Sequence, residues 1–111
     1  MKMVIAYVQP FMASDVVHAL HQVPGVSGAS FARVRGFGRG RSREGPTREV
    51  LRDGADRVRV EVMVSDDLED LVVRTIRQAA HTGNSGDGKV YVAELRRAVR
   101  IATGEVGDRA V

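Results

Sequence analysis

The alternation of apolar and polar residues predicts four strands and two helices in the order βαββαβ. Met3 to Val8 is a continuous apolar run of strand length, which is typical of a central strand covered on both faces. Residues Arg57 to Val64 alternate strictly, so that the valines at every second position share one face. Ala29 to Arg35 and Val90 to Leu95 complete the set of four predicted strands.

Two further segments carry apolar residues at helical spacing. The first contains Val16, Leu20 and Val23 and stops before Pro24. The second opens at Ser65, and its predicted buried stripe consists of Leu68, Leu71, Val72, Thr75, Ile76 and Ala79. These elements predict an α+β fold, a ferredoxin-like split βαββαβ with an antiparallel sheet, and residues 1–111 form a single domain.

The segment between the second and third strands, about residues 37–56, is too long for an ordinary hairpin. Connections beyond roughly 12–15 residues without their own structure are usually functional or disordered. Arg35 to Arg59 contains eight arginines, four acids and five glycines, which predicts a segment unable to order itself. It is either a solvated insertion or an arm that orders on docking to a partner. The candidate docking residues are Arg41, Arg43, Arg48 and Arg52.

Composition narrows the classes of function. The chain has no cysteine, so disulfide and thiolate chemistry are excluded. No apolar run approaches the roughly 20 residues needed to span a bilayer, and we expect a cytoplasmic protein. Lys2 and Lys89 are the only lysines among 17 basic residues; the arginine bias suits oxyanion recognition, although high genomic GC content also produces it. No catalytic set is evident, which predicts that the protein is not an enzyme.

The stretch Thr82 to Val92, at the junction of the second helix and the last strand, carries the chemistry of phosphate binding. Gly86 and Gly88 have no Cβ and allow backbone N–H groups to approach an anion, and Lys89 adds a positive charge. The alternative interpretation is a helix C-cap at Gly83 followed by an Asp-Gly turn into the strand.

This stretch resembles the C-terminal signature of the PII signal-transduction family, which runs Ser/Thr, three residues, Gly-Asp-Gly-Lys, Ile/Val, an aromatic and an aliphatic residue. The segments at Gln9 to Phe11, Val34 to Arg39 and Val99 to Glu105 also resemble the family's N-terminal strand end, the start of its T-loop and its C-terminal loop, here about residues 96–111. The resemblance implies a homotrimer in nitrogen regulation. An adenine nucleotide between subunits (ATP, ADP or AMP, with or without Mg²⁺) would control a T-loop that docks onto a regulated protein.

The family's best-known targets point to a transport protein or an enzyme as the regulated protein, and a transport protein would recruit this chain to the membrane. The resemblance also implies a set of nucleotide-binding residues, with Arg39, Lys89 and Arg100 on the phosphates and Ser30 near the adenine. That set is Ser30, Gly36, Phe37, Gly38, Arg39, Met63, Gly86, Asp87, Gly88, Lys89 and Arg100. No catalytic residue and no metal ligand belong to it.

Three departures from the family pattern affect these expectations. Gly40 stands where the family usually has a glutamine that helps hold Mg²⁺ and 2-oxoglutarate, which puts 2-oxoglutarate binding in doubt. The T-loop has no tyrosine for uridylylation, because Tyr7 and Tyr91 lie in predicted strands. Ala102 replaces an arginine of the family's Arg-Ile-Arg, so one phosphate contact is missing and weaker nucleotide binding is expected.

A nucleic-acid-binding protein is the alternative function. Arg35 to Gly38 matches the opening of the RNP1 motif on a fold of the same order, but Arg39-Gly40-Arg41 follows in place of the stacking aromatics. No specific nucleic acid is therefore expected, although an Arg/Gly-rich arm can bind phosphates without sequence preference. His18 and His21 fall at i, i+3 on the first helix and lack an adjacent third metal ligand.

Overall fold

The computed structural model describes residues 1–39 and 45–111, and within them the predicted fold class is confirmed. One antiparallel sheet has the strand order β2-β3-β1-β4. Its strands are β1 (Lys2–Val8), β2 (Ser30–Gly36), β3 (Ala55–Val64) and β4 (Gly88–Glu94). The helices are α1 (Ala13–His21), α2 (Arg48–Asp53) and α3 (Glu69–Ala80), and short 3-10 turns occupy Pro10–Met12, Asp66–Leu68 and Asp108–Ala110.

The hydrophobic core lies between one face of the sheet and the pair α1 and α3. Alternate residues of the two central strands point into it, as the period-2 pattern of β3 predicts. A fully buried valine or leucine stabilises the fold by roughly 1.5–3 kcal/mol relative to exposure. The core consists of Val4, Ala6, Val8, Val16, Leu20, Val23, Val58, Val60, Val62, Val64, Val72, Ile76 and Ala80.

The opposite face of the sheet carries apolar side chains that neither α1 nor α3 covers. Met3, Ile5 and Tyr7 of β1 remain partly exposed there, and the Tyr7 ring packs edge-on against Tyr91 of β4 with centroids 6.2 Å apart. Within one chain the helices therefore cover only one face of β1, and cover of the second face stays a prediction. We call this surface the open face of the sheet.

The buried stripe of α3 differs from the predicted one. Val72 and Ile76 are buried as expected, whereas Leu71 is 38% exposed and Ala80, outside the predicted set, is buried. Buried positions therefore recur every four residues from Val72 to Ala80. The prediction placed the centre of the apolar stripe one residue too early. Leu71 and Ala79 directly precede the buried residues Val72 and Ala80 and are also apolar, so the sequence does not mark where the buried stripe begins.

Helix α2 lies inside the segment that was predicted to lack structure of its own, and this part of the prediction is wrong. Thr47 caps the helix, since its hydroxyl oxygen accepts a hydrogen bond from the Val50 amide at 3.2 Å. Gly54 ends it with φ +79°. Both the N-cap threonine and the glycine at the helix end can be read in the sequence, but the arginine and glycine content of the segment led to the prediction that it lacks structure. Of the predicted docking residues, Arg48 and Arg52 are exposed on α2, while Arg41 and Arg43 lie outside the described residues, as does Gly40.

Within residues 1–39 and 45–111, no helix combines the length and the apolar character needed to cross a membrane. The same ranges hold no group of three histidine, cysteine, aspartate or glutamate residues arranged to bind a metal ion. His18 and His21 are both exposed on α1.

Candidate functional site: the glycine loop before β4

The loop from His81 to Asp87 joins α3 to β4 and contains the predicted phosphate-binding glycines. The helix ends at Ala80, and three glycines then adopt positive φ angles of +89°, +93° and +109° at Gly83, Gly86 and Gly88. Side chains other than glycine rarely adopt this backbone conformation. The chain can therefore turn back sharply and enter the edge strand β4. The alternative of a C-cap at Gly83 is wrong, because the C-cap of α3 is His81, whose backbone is extended.

The end of β1 holds the loop in place from below. A Cβ on Gly88 would stand 1.7 Å from the Tyr7 carbonyl oxygen, so no larger residue fits there without a shift of the backbone. The side-chain amide of Gln9 donates a hydrogen bond of 2.8 Å to the Gly86 carbonyl. The close approach at Gly88 explains that glycine by strand packing, whether or not a ligand approaches it.

Asp87 ties the start of the loop to its end. Its carboxylate accepts hydrogen bonds from the Thr82 amide at 2.8 Å, from the Thr82 hydroxyl and from the Gly83 amide at 3.1 Å. These hydrogen bonds, led by the Thr82 hydroxyl, lower the pKa of the Asp87 carboxyl below its ordinary value. His81 Nδ1 lies 3.7 Å from the same carboxylate. Asp87 is therefore ionised at neutral pH and engaged within the loop.

Lys89 follows the loop as the second residue of β4 and pairs with Tyr7. The register places it on the open face, and the residue is exposed. On the helix side of the same strand end, a groove of about 400 Å³ opens beside the loop. Its floor is apolar and its rim is polar. The lining residues are Val8, Val73, Ile76, Arg77, Ala80, His81, Asp87, Gly88, Lys89 and Val90.

The predicted T-loop residues lie at the same end of the strands as the glycine loop, but on the opposite edge of the sheet. Gly36 ends β2 opposite Ala55, the first residue of β3, and exposed Phe37, Gly38 and Arg39 follow. β3 and β1 separate β2 from β4 by roughly 14 Å across the sheet, and the register places Lys89 level with Ala32, four residues before Gly36. One chain thus leaves Gly36–Arg39 and Gly86–Lys89 near one end of the sheet without direct contact between them.

The other predicted nucleotide-binding residues, Met63, Ser30 and Arg100, lie farther along the sheet or after its last strand. Met63 pairs with Met3, which pairs with Ala93, about 13 Å along β4 from Lys89. Ser30 pairs with Glu61, which pairs with Ile5, so Ser30 stands level with Tyr91, two residues along β4 from Lys89. Arg100 lies in the segment after β4. Within one chain the predicted set is therefore spread along the sheet and into the segment that follows β4.

Arg100 lies in a small hairpin closed by the bridge between Val99 and Val106. Its backbone amide donates to Glu105 at 2.9 Å, and its guanidinium donates to the Arg109 carbonyl at 3.0 Å. Ile101 at the tip is fully exposed, and Ala102 beside it is also exposed. A surface hairpin with an exposed isoleucine and valines has little to pack against within one chain.

Gln9 and Thr82 contact the loop but were not among the predicted site residues. Gln9 stands directly after β1, and its role depends on a pairing across 77 residues that no local pattern reveals. Thr82 belongs to the quoted signature, and its position five residues before Asp87 gives a signal for the hydrogen bonds between them.

Comparison with known proteins finds one family over most of the chain. Residues 1–105 match the model of the family described as "Nitrogen regulatory protein P-II". The chain is 39% identical to the nitrogen regulatory protein P-II of Azospirillum brasilense and 40% identical to P-II 1 of Escherichia coli K12, with 100% of each chain covered in both comparisons. It is also similar to the crystal structure of Arabidopsis thaliana PII bound to citrate. That likeness has a TM-score of 0.82 and 31% identity and covers 99% of this chain and 91% of the plant chain.

Proposed function

Because the chain belongs to the nitrogen regulatory protein P-II family, we propose that it is a regulator in which an adenine nucleotide, bound between subunits, controls docking of the long loop onto a target protein. Proteins of this family form trimers and regulate other proteins, and they are not enzymes. The separation of the predicted binding residues within one chain, from the glycine loop to Met63 and to the hairpin of Arg100, carries the proposal. A second copy of the chain can bring residues together that stand apart in one chain.

The chemistry of the predicted residues supports an anionic ligand. Arg39 follows β2, Lys89 lies on β4 and Arg100 lies in the hairpin after β4, and all three are exposed. The glycine loop offers backbone at positive φ, which an anion can approach closely. The plant relative is bound to citrate, itself an anion. ATP, ADP and AMP, with or without Mg²⁺, are the proposed ligands, and 2-oxoglutarate is not proposed, because Gly40 offers no side chain to coordinate it.

We expect a homotrimer, because the open face of the sheet leaves apolar side chains uncovered in one chain. Light scattering should give three times the 12.1 kDa of one chain. Tyr91 is 52% exposed on that face in one chain, and the trimer should bury it. A charged side chain at this position should therefore destabilise the assembly. Tyr91→Asp should therefore lower the mass toward that of a monomer while the far-ultraviolet circular dichroism stays folded.

Leu51→Asp is the matched control for the trimer. The exposed fraction of Leu51, 56%, is close to that of Tyr91, but Leu51 lies on α2 rather than on the open face. Its substitution should leave the mass of the trimer unchanged. A monomeric unaltered protein at micromolar concentration, or a trimer that survives Tyr91→Asp, would exclude the open face as the subunit interface.

The loop that contains α2 is the proposed docking arm, and its target is a protein of acidic surface, such as a membrane transport protein. Arg48 and Arg52 are exposed at i, i+4 on α2 and can meet carboxylates of a partner. The double variant Arg48→Glu/Arg52→Glu should reduce capture of the target from cells of the source organism at least tenfold. Nucleotide affinity and trimer mass should not change.

The control for docking reverses the charge of two exposed arginines elsewhere, with Arg33 on β2 and Arg74 on α3 both replaced by glutamate. Equal loss of the target with this control would mean that net charge, not α2, governs capture. Retention of RNA with weak sequence preference and a steep salt dependence would favour the nucleic-acid alternative. Cytoplasmic location, with recruitment to the membrane by the target, remains part of the proposal.

A further inference from the structure

The glycine loop is held in one conformation by the protein's own side chains. Asp87 accepts three hydrogen bonds from Thr82 and Gly83, an arrangement that we call the Asp87 clasp. Gln9 donates to the Gly86 carbonyl from the end of β1. The first contact closes the loop on itself, and the second fixes it to a central strand. Neither contact involves Lys89.

The Asp87 carboxylate faces into the loop. Its side chain is 22% exposed, and both oxygens already accept hydrogen bonds from Thr82 or Gly83. A carboxylate in this position gains little from direct contact with a phosphate, since two anions repel each other. Asp87 must then contribute to an anion site without contact between its carboxylate and the anion.

We infer that Asp87 and Gln9 are positioning residues that keep the backbone of Gly86 to Gly88 in the conformation required to receive the phosphates of the nucleotide. The inference rests on the proposed function. Preorganised backbone donors bind an anion more tightly than flexible ones, because the loop does not have to be ordered during binding. Loss of either contact should therefore weaken binding even though neither side chain touches the ligand.

The substitution Asp87→Asn distinguishes a role of Asp87 through its charge from a role in holding the loop, because the two roles predict opposite changes in ATP affinity. If Asp87 acts only through its charge, Asp87→Asn removes a repulsion and tightens binding of ATP. If it acts by holding the loop, the same change weakens binding, because an amide presents only one acceptor oxygen to the donors of Thr82 and Gly83. We expect at least fivefold weaker binding.

Thr82 provides a second test with a conservative rescue. Thr82→Val keeps the shape of the side chain and removes the hydroxyl that donates to Asp87, whereas Thr82→Ser keeps the hydroxyl. Thr82→Val should weaken ATP binding to a similar extent, and Thr82→Ser should stay within twofold of the unaltered protein. Gln9→Ala should weaken binding through loss of the contact with Gly86.

The experiment combines calorimetric titration of the intact protein with ATP and hydrogen exchange of the loop amides without ATP. Asp15→Asn and Gln22→Ala, both exposed and remote on or after α1, are the controls. We expect weaker binding and faster exchange at Thr82 and Gly83 in Asp87→Asn and Thr82→Val, and neither effect in the controls. Unchanged or tighter ATP binding by Asp87→Asn, while the unaltered protein binds normally, would overturn this inference alone. Absence of ATP binding by the unaltered protein would overturn the proposed function together with it.

Discussion

Gly88→Ala should destabilise the fold by roughly 2–5 kcal/mol, as much as truncation of a buried core leucine to alanine. The new Cβ would stand 1.7 Å from the Tyr7 carbonyl oxygen, and the backbone of Gly88 has φ +109°. Both a steric clash with β1 and an unfavourable backbone conformation follow. β4 can relieve the clash only by moving away from β1, to which it is hydrogen-bonded along its whole length. Denaturant unfolding at fixed protein concentration measures the loss.

Gly83→Ala separates the two contributions. Gly83 also has a positive φ, of +89°, but a Cβ there would meet nothing within 4 Å. Only the conformational cost remains, about 1–2 kcal/mol. If the two variants prove equally stable, the close packing of the glycine loop on β1 is not a determinant of stability.

Lys89→Met should weaken nucleotide binding by roughly ten- to a hundredfold. A hydrogen bond to a charged group contributes about 1.5–3 kcal/mol, and each 1.4 kcal/mol corresponds to about tenfold in affinity. Methionine retains an apolar stem on the open face and removes the ammonium. The substitution should therefore leave the trimer intact. Competition against a fluorescent ATP analogue measures the affinity.

Arg33→Met is the control for net charge, because Arg33 pairs with buried Val58 and so lies on the face of the sheet opposite to Lys89. It should change nucleotide affinity less than twofold. Equal effects of Lys89→Met and Arg33→Met would show that Lys89 does not contact the nucleotide.

A substitution in the opposite direction, Ala102→Arg, should restore the missing phosphate contact and tighten nucleotide binding about tenfold.

The strands could be predicted from the sequence because β1 and β3 carry strong local patterns. Val58, Val60, Val62 and Val64 alternate strictly, and all four are buried. Helix α3 was harder to orient. Apolar residues flank its buried stripe on both sides, and only the packing of the helix against α1, β1 and β4 decides whether Leu71 or Ala80 is buried.

The candidate site was less accessible to sequence reasoning, because its parts come together through strand pairing. The contact between Gln9 and Gly86, and the packing of Gly88 on Tyr7, join residues about 80 positions apart. The sequence motif marked the glycines without indicating that β1 fixes them. The family resemblance supplied Ser30 and Met63, but only the strand register reveals that these two residues lie apart from Lys89 within one chain.

Calorimetric titration of the intact protein with ATP, ADP and AMP tests the central claim most directly. The proposed site between subunits predicts saturable binding of at least one of these nucleotides, with one equivalent per chain and an affinity weaker than that of a site with the complete Arg-Ile-Arg. Addition of 2-oxoglutarate with Mg²⁺ should change that affinity little. No heat of binding for any of the three nucleotides up to millimolar concentration would contradict the claim that this chain is a nucleotide-responsive regulator.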